Sequence, residues 1–503
     1  MGESIKDKTA KGLFWGALNN GGMQLLNIVF GIIIARILTP GDFGLVAMLL
    51  VYSSIAANIQ ESGFITALIN RRNVSNEDYN SVFWFNVVIG AILYVILFLA
   101  APLIAQYNHQ PVLVPLARYL FLGFFFGSFA IVPRAKLMKE LRVKEQTIIS
   151  VLSLLISGVV GVIMALSGME YWGIATQSVT YVLFVSIFSW YFTKWKPSFS
   201  FSFLPIKEMF GFSCKILVTK IFYNLNNYAF ETFLGRYYPK KEVGEFSQAN
   251  NWNQKGNMLI TGMVQSVAQP MFVAIRDEGE GGCAEQARLK RAFRKMLRFT
   301  SFITFPVMFG LVLIAPEFIV VTIKEKWLES AKLMQILCFG GAFLPIAALY
   351  NNLIISRGKS DIYMWNMIAQ VVLVLADLYF VQRFHICIMG FSGIKLMAMI
   401  YASIMVIWVF VWHWFVQKEI KLTFWEALKD MMPFMLIAAG VMGVTYFITC
   451  AITNLVVLLC VRIVLAAALY FAILLLLNAQ ILKECISYVK IKGQKSKDKA
   501  NED

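Results

Sequence analysis

The chain is 503 residues long, 59% hydrophobic and only 15% charged, with a mean hydropathy of +0.67. A water-soluble fold of that length has too little interior to hide so much apolar side chain, which leaves a polytopic, all-α membrane protein. The formal charge of +16 does not indicate a nucleic-acid binder, because Lys and Arg sit in short segments between apolar runs, where they set membrane orientation.

A spanning helix needs ~20 mostly apolar residues. About fourteen segments meet that rule. They are 12–35, 43–68, 82–106, 112–133, 147–167, 171–193, 210–235, 243–274, 296–316, 332–356, 362–382, 394–416, 431–452 and 455–478. The first is too long for a signal-peptide core and lacks a small-x-small cleavage site, so it reads as a retained helix. Roughly 30 Lys and Arg fall on the side of the N-terminus and about 7 on the other, which predicts both termini in the cytoplasm and an even number of spans. No loop is long enough for a soluble catalytic domain. The largest, 276–295, is a turn followed by a basic amphipathic helix start.

The end of the first span, Ala35-Arg36-Ile37-Leu38-Thr39-Pro40-Gly41-Asp42-Phe43-Gly44, is echoed by Gly235-Arg236-Tyr237-Tyr238-Pro239-Lys240-Lys241-Glu242-Val243-Gly244. In both, a helix ends in small-Arg, a Pro lies in the turn, and acid-apolar-Gly opens the next helix. The echo predicts a duplicated bundle, the usual architecture of transporters. Residues 1–193 form an N-lobe of six spans, 194–209 a cytoplasmic linker around Trp195-Lys196-Pro197, and 210–416 a C-lobe of six more. Spans 13 and 14 occupy 417–482, and 483–503 is a cytoplasmic basic tail. Both lobes start inside, so the repeat is parallel.

Polar residues follow the duplication. Span 1 carries Asn20, Gln24 and Asn27, with Asn19-Asn20-Gly21-Gly22 as a weak point. Span 2 carries Ser54, Asn58 and Glu61. Span 7 carries Lys220, Asn224, Asn227 and Glu231 at i, i+4, i+7 and i+11, with Lys215 and Asn226 beside them. Span 8 carries Ser247, Asn250, Gln254, Asn257, Thr261 and Gln265 on one face, flanked by Asn251 and Lys255. Charges are costly in hydrocarbon, so these stripes either face a wet cavity or bond neighbouring helices. Their place on spans 1 and 2 and on the duplicates 7 and 8 favours the cavity. Lys215, Lys220 and Lys255 outnumber Glu231, which suits an anionic group, while the amides suit hydroxyl-rich ligands. Lys215 has the alternative of snorkelling to the inner interface.

Asp377 on span 11 and Arg118 on span 4 are further buried-looking charges. Asp377 either couples transport to a proton or sodium gradient, with Glu231, or pairs with a basic residue, which is the simpler account. Arg462 on span 14 has no obvious partner, and pairing or snorkelling explains it better than function. The seven cysteines show no metal spacing, and His109, His385 and His413 show none either. There is no P-loop and no nucleophile–base set, so neither an enzyme nor a bound cofactor is expected.

Several ordered segments resemble the polysaccharide-transport branch of the MOP flippase superfamily, the O-antigen and exopolysaccharide flippases. They are Ala35 to Met48, Glu61-Ser62-Gly63-Phe64, Asn80-Ser81-Val82-Phe83-Trp84-Phe85-Asn86, Ala101-Pro102-Leu103-Ile104-Ala105, Pro133-Arg134-Ala135, Trp195-Lys196-Pro197, Gly244-Glu245-Phe246-Ser247-Gln248-Ala249 and Ser356-Arg357-Gly358-Lys359-Ser360-Asp361. The resemblance implies two six-helix lobes in a V around a central cavity lined by helices 1, 2, 7 and 8, plus two C-terminal helices. It further implies a bacterial inner-membrane flippase for undecaprenyl-pyrophosphate-linked oligosaccharide, with membrane lipids and polysaccharide polymerase machinery as partners. Helices 13 and 14 then either form a groove for the lipid tail or pack at the edge.

The favoured reading is this flippase, serving lipopolysaccharide, capsule or exopolysaccharide synthesis by rocking of two lobes. A small-solute or drug exporter of the same superfamily is the alternative. A glycan polymerase or ligase lacks its expected large outer loop, and a scaffold gives no reason for duplicated polar helices.

Overall fold

A computed structural model describes residues 5–61, 64–71, 74–277, 282–384 and 393–477. The basic tail lies outside them. So does the side chain of Lys215, within the helix that carries it.

Every regular element among the described residues is helical. In chain order they are α1 (Ile5–Ile37), α2 (Pro40–Ala47), α3 (Leu50–Glu61), α4 (Phe64–Asn70), α5 (Asn76–Tyr107), α6 (Leu113–Ser128), α7 (Ile131–Lys139), α8 (Val143–Leu166) and α9 (Trp172–Thr193). They continue as α10 (Phe203–Tyr237), α11 (Lys240–Asp277), α12 (Cys283–Ile323), α13 (Leu328–Gly341), α14 (Leu344–Ser356), α15 (Ser360–Phe384), α16 (Gly393–Ile420), α17 (Phe424–Thr449) and α18 (Leu455–Leu476). Eleven stretches, or twelve counting α6 with α7 across their 45° bend, are long and apolar enough to cross a membrane. The two predicted spans not among these are α1, whose described apolar stretch is Gly21–Ile37, and α10. Both carry the polar residues singled out above.

The sequence dictates the helix starts. Thr39 donates through its backbone N and Oγ1 to Asp42 Oδ2 at 2.8 and 2.6 Å, and Pro40 occupies the first turn of α2; both are helix N-terminal signals. Ser75 and Asp78 exchange bonds of 2.9 and 3.1 Å at the start of α5. Asn454 accepts from the backbone N of Val456 and Val457 at 3.0 and 3.2 Å to open α18. Along α5, Val88, Ile92, Val95, Leu99 and Leu103 are exposed while Asn80, Ser81, Asn86 and Gly90 are buried. An apolar outer face with polar residues turned inward suits a lipid solvent.

By contact the chain groups into two units, Met1–Ser247 with Met367–Arg383, and Gln248–Asn366 with Phe384–Asp503. This grouping divides the chain within α11, whereas the lobes expected from the repeat divide it in the linker. In the first unit, Phe64, Leu68, Val82, Phe83, Val132 and Trp195 form a core cluster. The linker is strapped onto α5. Trp195 Nε1 donates to Asn76 Oδ1 at 2.9 Å, Asn80 Nδ2 donates to Ser198 Oγ at 2.6 Å, and Phe199 stacks on Trp84. Arg118 Nε donates to the Phe98 carbonyl at 3.4 Å, with its guanidinium 4.1 Å from the Phe98 ring.

The two copies of the repeat meet within this unit. α1 ends at Ile37 and α2 starts at Pro40; α10 ends at Tyr237 and α11 starts at Lys240. A Cβ on Gly44 would lie 1.8 Å from the Lys240 carbonyl oxygen, and one on Gly244 would lie 1.8 Å from the Pro40 carbonyl oxygen. Each glycine therefore packs on the first turn of the other copy, a reciprocal crossing that only residues without a side chain permit. Arg36 and Arg236 are each the penultimate residue of their helix.

In the second unit α17 and α18 pack on α12. Tyr470 donates its hydroxyl to the Phe302 carbonyl at 2.9 Å. Arg462, for which the sequence offers no partner, pairs with Glu317 at 2.7 Å and donates from Nε to Thr449 Oγ1 at 3.1 Å. The basic start of α12 is tied to α17, with Arg294 on Asp430 at 2.6 Å and Lys290 on Glu426 at 2.7 Å.

Candidate functional site

Helical spacing sorts the predicted site residues into several environments. On α1, Gln24 is half-buried and Asn27 exposed. The side chains of Asn20, Glu61 and Asn227 lie outside the described residues. Asn58 Nδ2 donates to the Ser54 carbonyl at 2.7 Å, and Asn224 Nδ2 donates to the Lys220 carbonyl at 2.8 Å. Both are one-turn back-bonds that engage the amide nitrogen. Lys220 is half-buried, and Glu231 is buried at 2% exposure.

A polar cluster in the first unit joins α10 to α15. Asn226 Nδ2 donates to Gln370 Oε1 at 3.4 Å, and Gln370 is itself buried. Glu231 lies five residues beyond Asn226, and Asp377 seven beyond Gln370. At about 1.5 Å per residue, the two acids stand roughly 7–11 Å along their helices from the bonded amides. Asp377 Oδ2 is buried with no hydrogen-bond partner among the described residues, and no ion pair of Asp377 occurs among them. The basic partner that would give the simpler account is therefore absent from the described residues.

On α11, in the second unit, Asn250 is buried, Asn251 exposed and Gln254 half-buried. The Lys255 ammonium sits 4.6 Å from the centre of the Trp252 ring, a cation–π contact. Asn257 serves packing instead. Its Nδ2 donates to the Asn253 carbonyl at 3.0 Å, and a Cβ on Gly341 would meet Asn253 Oδ1 at 2.0 Å. That stretch of the stripe packs α11 against α13.

The first unit also holds a half-open chamber of about 740 Å³. Its walls come from α1, α2, α3, α4 and α6 to α10, and its polar lining includes Asn19, Ser53, Ser54, Gln60, Arg134, Ser178, Tyr181 and Ser189. Of these, only Ser54 is among the residues that sequence spacing singled out. The signal was nevertheless present. Ser178, Val182, Val185 and Ser189 follow the same i, i+4, i+7, i+11 spacing as the polar stripe of α10, but serines among aromatic and β-branched neighbours read as ordinary helix packing.

Known proteins show the same architecture. Residues 33–332 match the family described as polysaccharide biosynthesis protein. The lipopolysaccharide biosynthesis protein WzxC of Escherichia coli (strain K12) is 25% identical over 71% of this chain and 72% of its own length. The teichuronic acid biosynthesis protein TuaB of Bacillus subtilis (strain 168) is 24% identical over 88% of this chain and 89% of its own. Among solved structures, the lipid II flippase MurJ in an inward closed conformation aligns with a TM-score of 0.72 at 14% identity, over 94% of this chain and all of MurJ. An inward-facing multidrug resistance MATE transporter aligns at 0.59 and 14% identity, over 84% and 95%. The family match spans more than half of the sequence, and it identifies the chain as a multi-pass membrane protein of the polysaccharide biosynthesis family, with the fold of the MOP superfamily.

Proposed function

We propose that this protein is a flippase that carries an undecaprenyl-pyrophosphate-linked oligosaccharide from the inner to the outer leaflet of a bacterial cytoplasmic membrane. The observation that carries the reading is the polarity of α1 and α10. α1 carries Asn20, Gln24 and Asn27, α10 carries Lys220, Asn224, Asn227 and Glu231, and the two helices are the two copies of the repeat. In a membrane, such helices require a wet cavity or a polar ligand. Relatives named for lipopolysaccharide and teichuronic acid biosynthesis, and a fold shared with a lipid II flippase, support a lipid-linked glycan as that ligand.

In this reading α1 and α10 complete fourteen spans in two rocking lobes with α17 and α18 added, and both termini are cytoplasmic. Lys220 and Lys255 bind the pyrophosphate by charge-assisted contacts. Asn224, Asn250 and Gln254 bond sugar hydroxyls, and the polyprenyl tail stays in lipid. Asp377 and Glu231 take up a proton or sodium ion in step with transport. The polysaccharide polymerase machinery receives the product, and the chain moves its substrate without changing its covalent structure.

The test is deletion of the gene in its host, followed by complementation. Lipid-linked repeat units should accumulate in the inner leaflet and surface polysaccharide should disappear, with both restored by the wild-type chain. Unchanged surface polysaccharide in the deletion strain would refute the proposal. The second reading, a small-solute exporter, draws on the MATE-like fold and predicts drug sensitivity with normal polysaccharide.

A further inference from the structure

The glycines of this bundle behave in two opposite ways. Gly44 and Gly244 sit where two backbones touch, the usual reason for glycine in a membrane helix. Gly123 on α6 is equally buried, yet a Cβ there would meet nothing within 4 Å. It lines the chamber of the first unit, so α6 turns bare backbone toward a void. Glycine weakens a helix interior relative to alanine, and here no neighbouring helix benefits from the missing side chain.

The lining says what the void suits. Voids that stay empty in proteins are apolar. This one carries Ser53, Gln60, Ser178, Tyr181 and Ser189, and Ser189 Oγ is fully buried with no partner among the described residues. An unpaired buried hydroxyl is unfavourable unless something occupies the space beside it. Among the described residues, Arg134 is the charged group of the lining, and no carboxylate contributes to it. A cationic drug would find no counter-charge among the described lining residues, and an acyl chain would strand the hydroxyls. Sugar rings combine apolar C–H faces with many hydroxyls, and an acidic substituent would meet Arg134. The volume, about 740 Å³, lies within the ~300–1,000 Å³ range of ligand sites.

We propose that this chamber seats the outer sugar rings of the carried glycan, with Gly123 holding open the room for them. The inference rests on the flippase reading and adds a specificity site within the first unit, apart from the lysines assigned to the pyrophosphate. It makes glycan length and bulk, rather than the lipid anchor, the property that the chamber reads.

The test uses liposomes containing wild-type protein, Gly123→Ala or Gly123→Phe. One probe is the host's own lipid-linked repeat unit; the other is the same lipid ending after its first sugar. Gly123→Ala adds one methyl to the chamber wall and should slow the full repeat unit by less than Gly123→Phe does. Gly123→Phe puts an aromatic ring into the chamber and should slow the full repeat unit by about tenfold or more, while the one-sugar lipid keeps its wild-type rate within about twofold. Equal wild-type rates on both probes in Gly123→Phe would mean that the chamber holds only water, and would overturn the proposal. Equal loss on both would overturn it too, since the chamber would then not discriminate glycans. Wild type failing on both probes is a different result: it would remove the flippase reading beneath this one.

Discussion

Glu317 and Asp377 both lie inside helices of this protein, and they are held in different ways. Glu317 on α12 faces Arg462 on α18 at 2.7 Å, and the guanidinium also reaches Thr449 and lies 5.3 Å from the Tyr446 ring. Asp377 on α15 is half-buried, with Oδ2 unbonded and no basic side chain paired to it among the described residues. A buried pair is costly to break because the survivor is left charged in a low-dielectric site. An unpaired acid already bears that cost, so its retention calls for another reason. The first region is built to stay as it is; the second, under the proposed function, changes its protonation or its ligand.

Substitutions can break that contrast. Arg462→Leu should have the largest effect, about 3–5 kcal/mol of destabilisation, because Glu317 is left alone among apolar side chains. Detergent-solubilised protein should show this as a large fall in melting temperature and in recovered monomer. Adding Glu317→Leu should restore much of the loss, since an apolar pair in place of a buried ion pair is often neutral. Failure of the double variant to recover would mean that the pair positions α18 in a way that packing cannot replace.

Lys220→Ala with Lys255→Ala comes next. Each charge-assisted contact is worth about 1.5–3 kcal/mol, so translocation should slow by roughly tenfold or more with melting temperature little changed. A normal rate would remove both lysines from the pyrophosphate site. The smallest effect on folding belongs to Asp377→Asn, which keeps the shape and removes the charge. Thermal stability should hold or rise, while the translocation rate loses its response to an imposed proton or sodium gradient. A stability loss comparable to that of Arg462→Leu would show that Asp377 is a structural charge after all.

Much of the architecture was legible because it rests on local rules. The Thr39-Pro40-Gly41-Asp42 start of α2 is a helix-opening signal in any context, and the ends of α1 and α10 coincide at an offset visible in the sequence. The polar stripes on α10 and α11 followed from helical spacing alone. Spacing could not say which amides bond within their own helix, as Asn58 and Asn224 do, or which pack against a neighbour, as Asn253 does at Gly341. Glu317 and Arg462 are far apart in sequence, and no periodicity links them. The chamber escaped notice because five serines and two glycines of its wall are residues that in most membrane helices serve close packing. Only the space opposite Gly123 separates the two roles.

The most direct test of the account is translocation in liposomes. Purified protein is reconstituted with the lipid-linked repeat unit, and an impermeant glycosidase is added outside. Without protein, digestion should stop at the share of glycan in the outer leaflet. With wild-type protein it should run toward completion, more slowly with Lys220→Ala and Lys255→Ala combined. Digestion that stops at the outer-leaflet share with wild-type protein present would contradict the flippase.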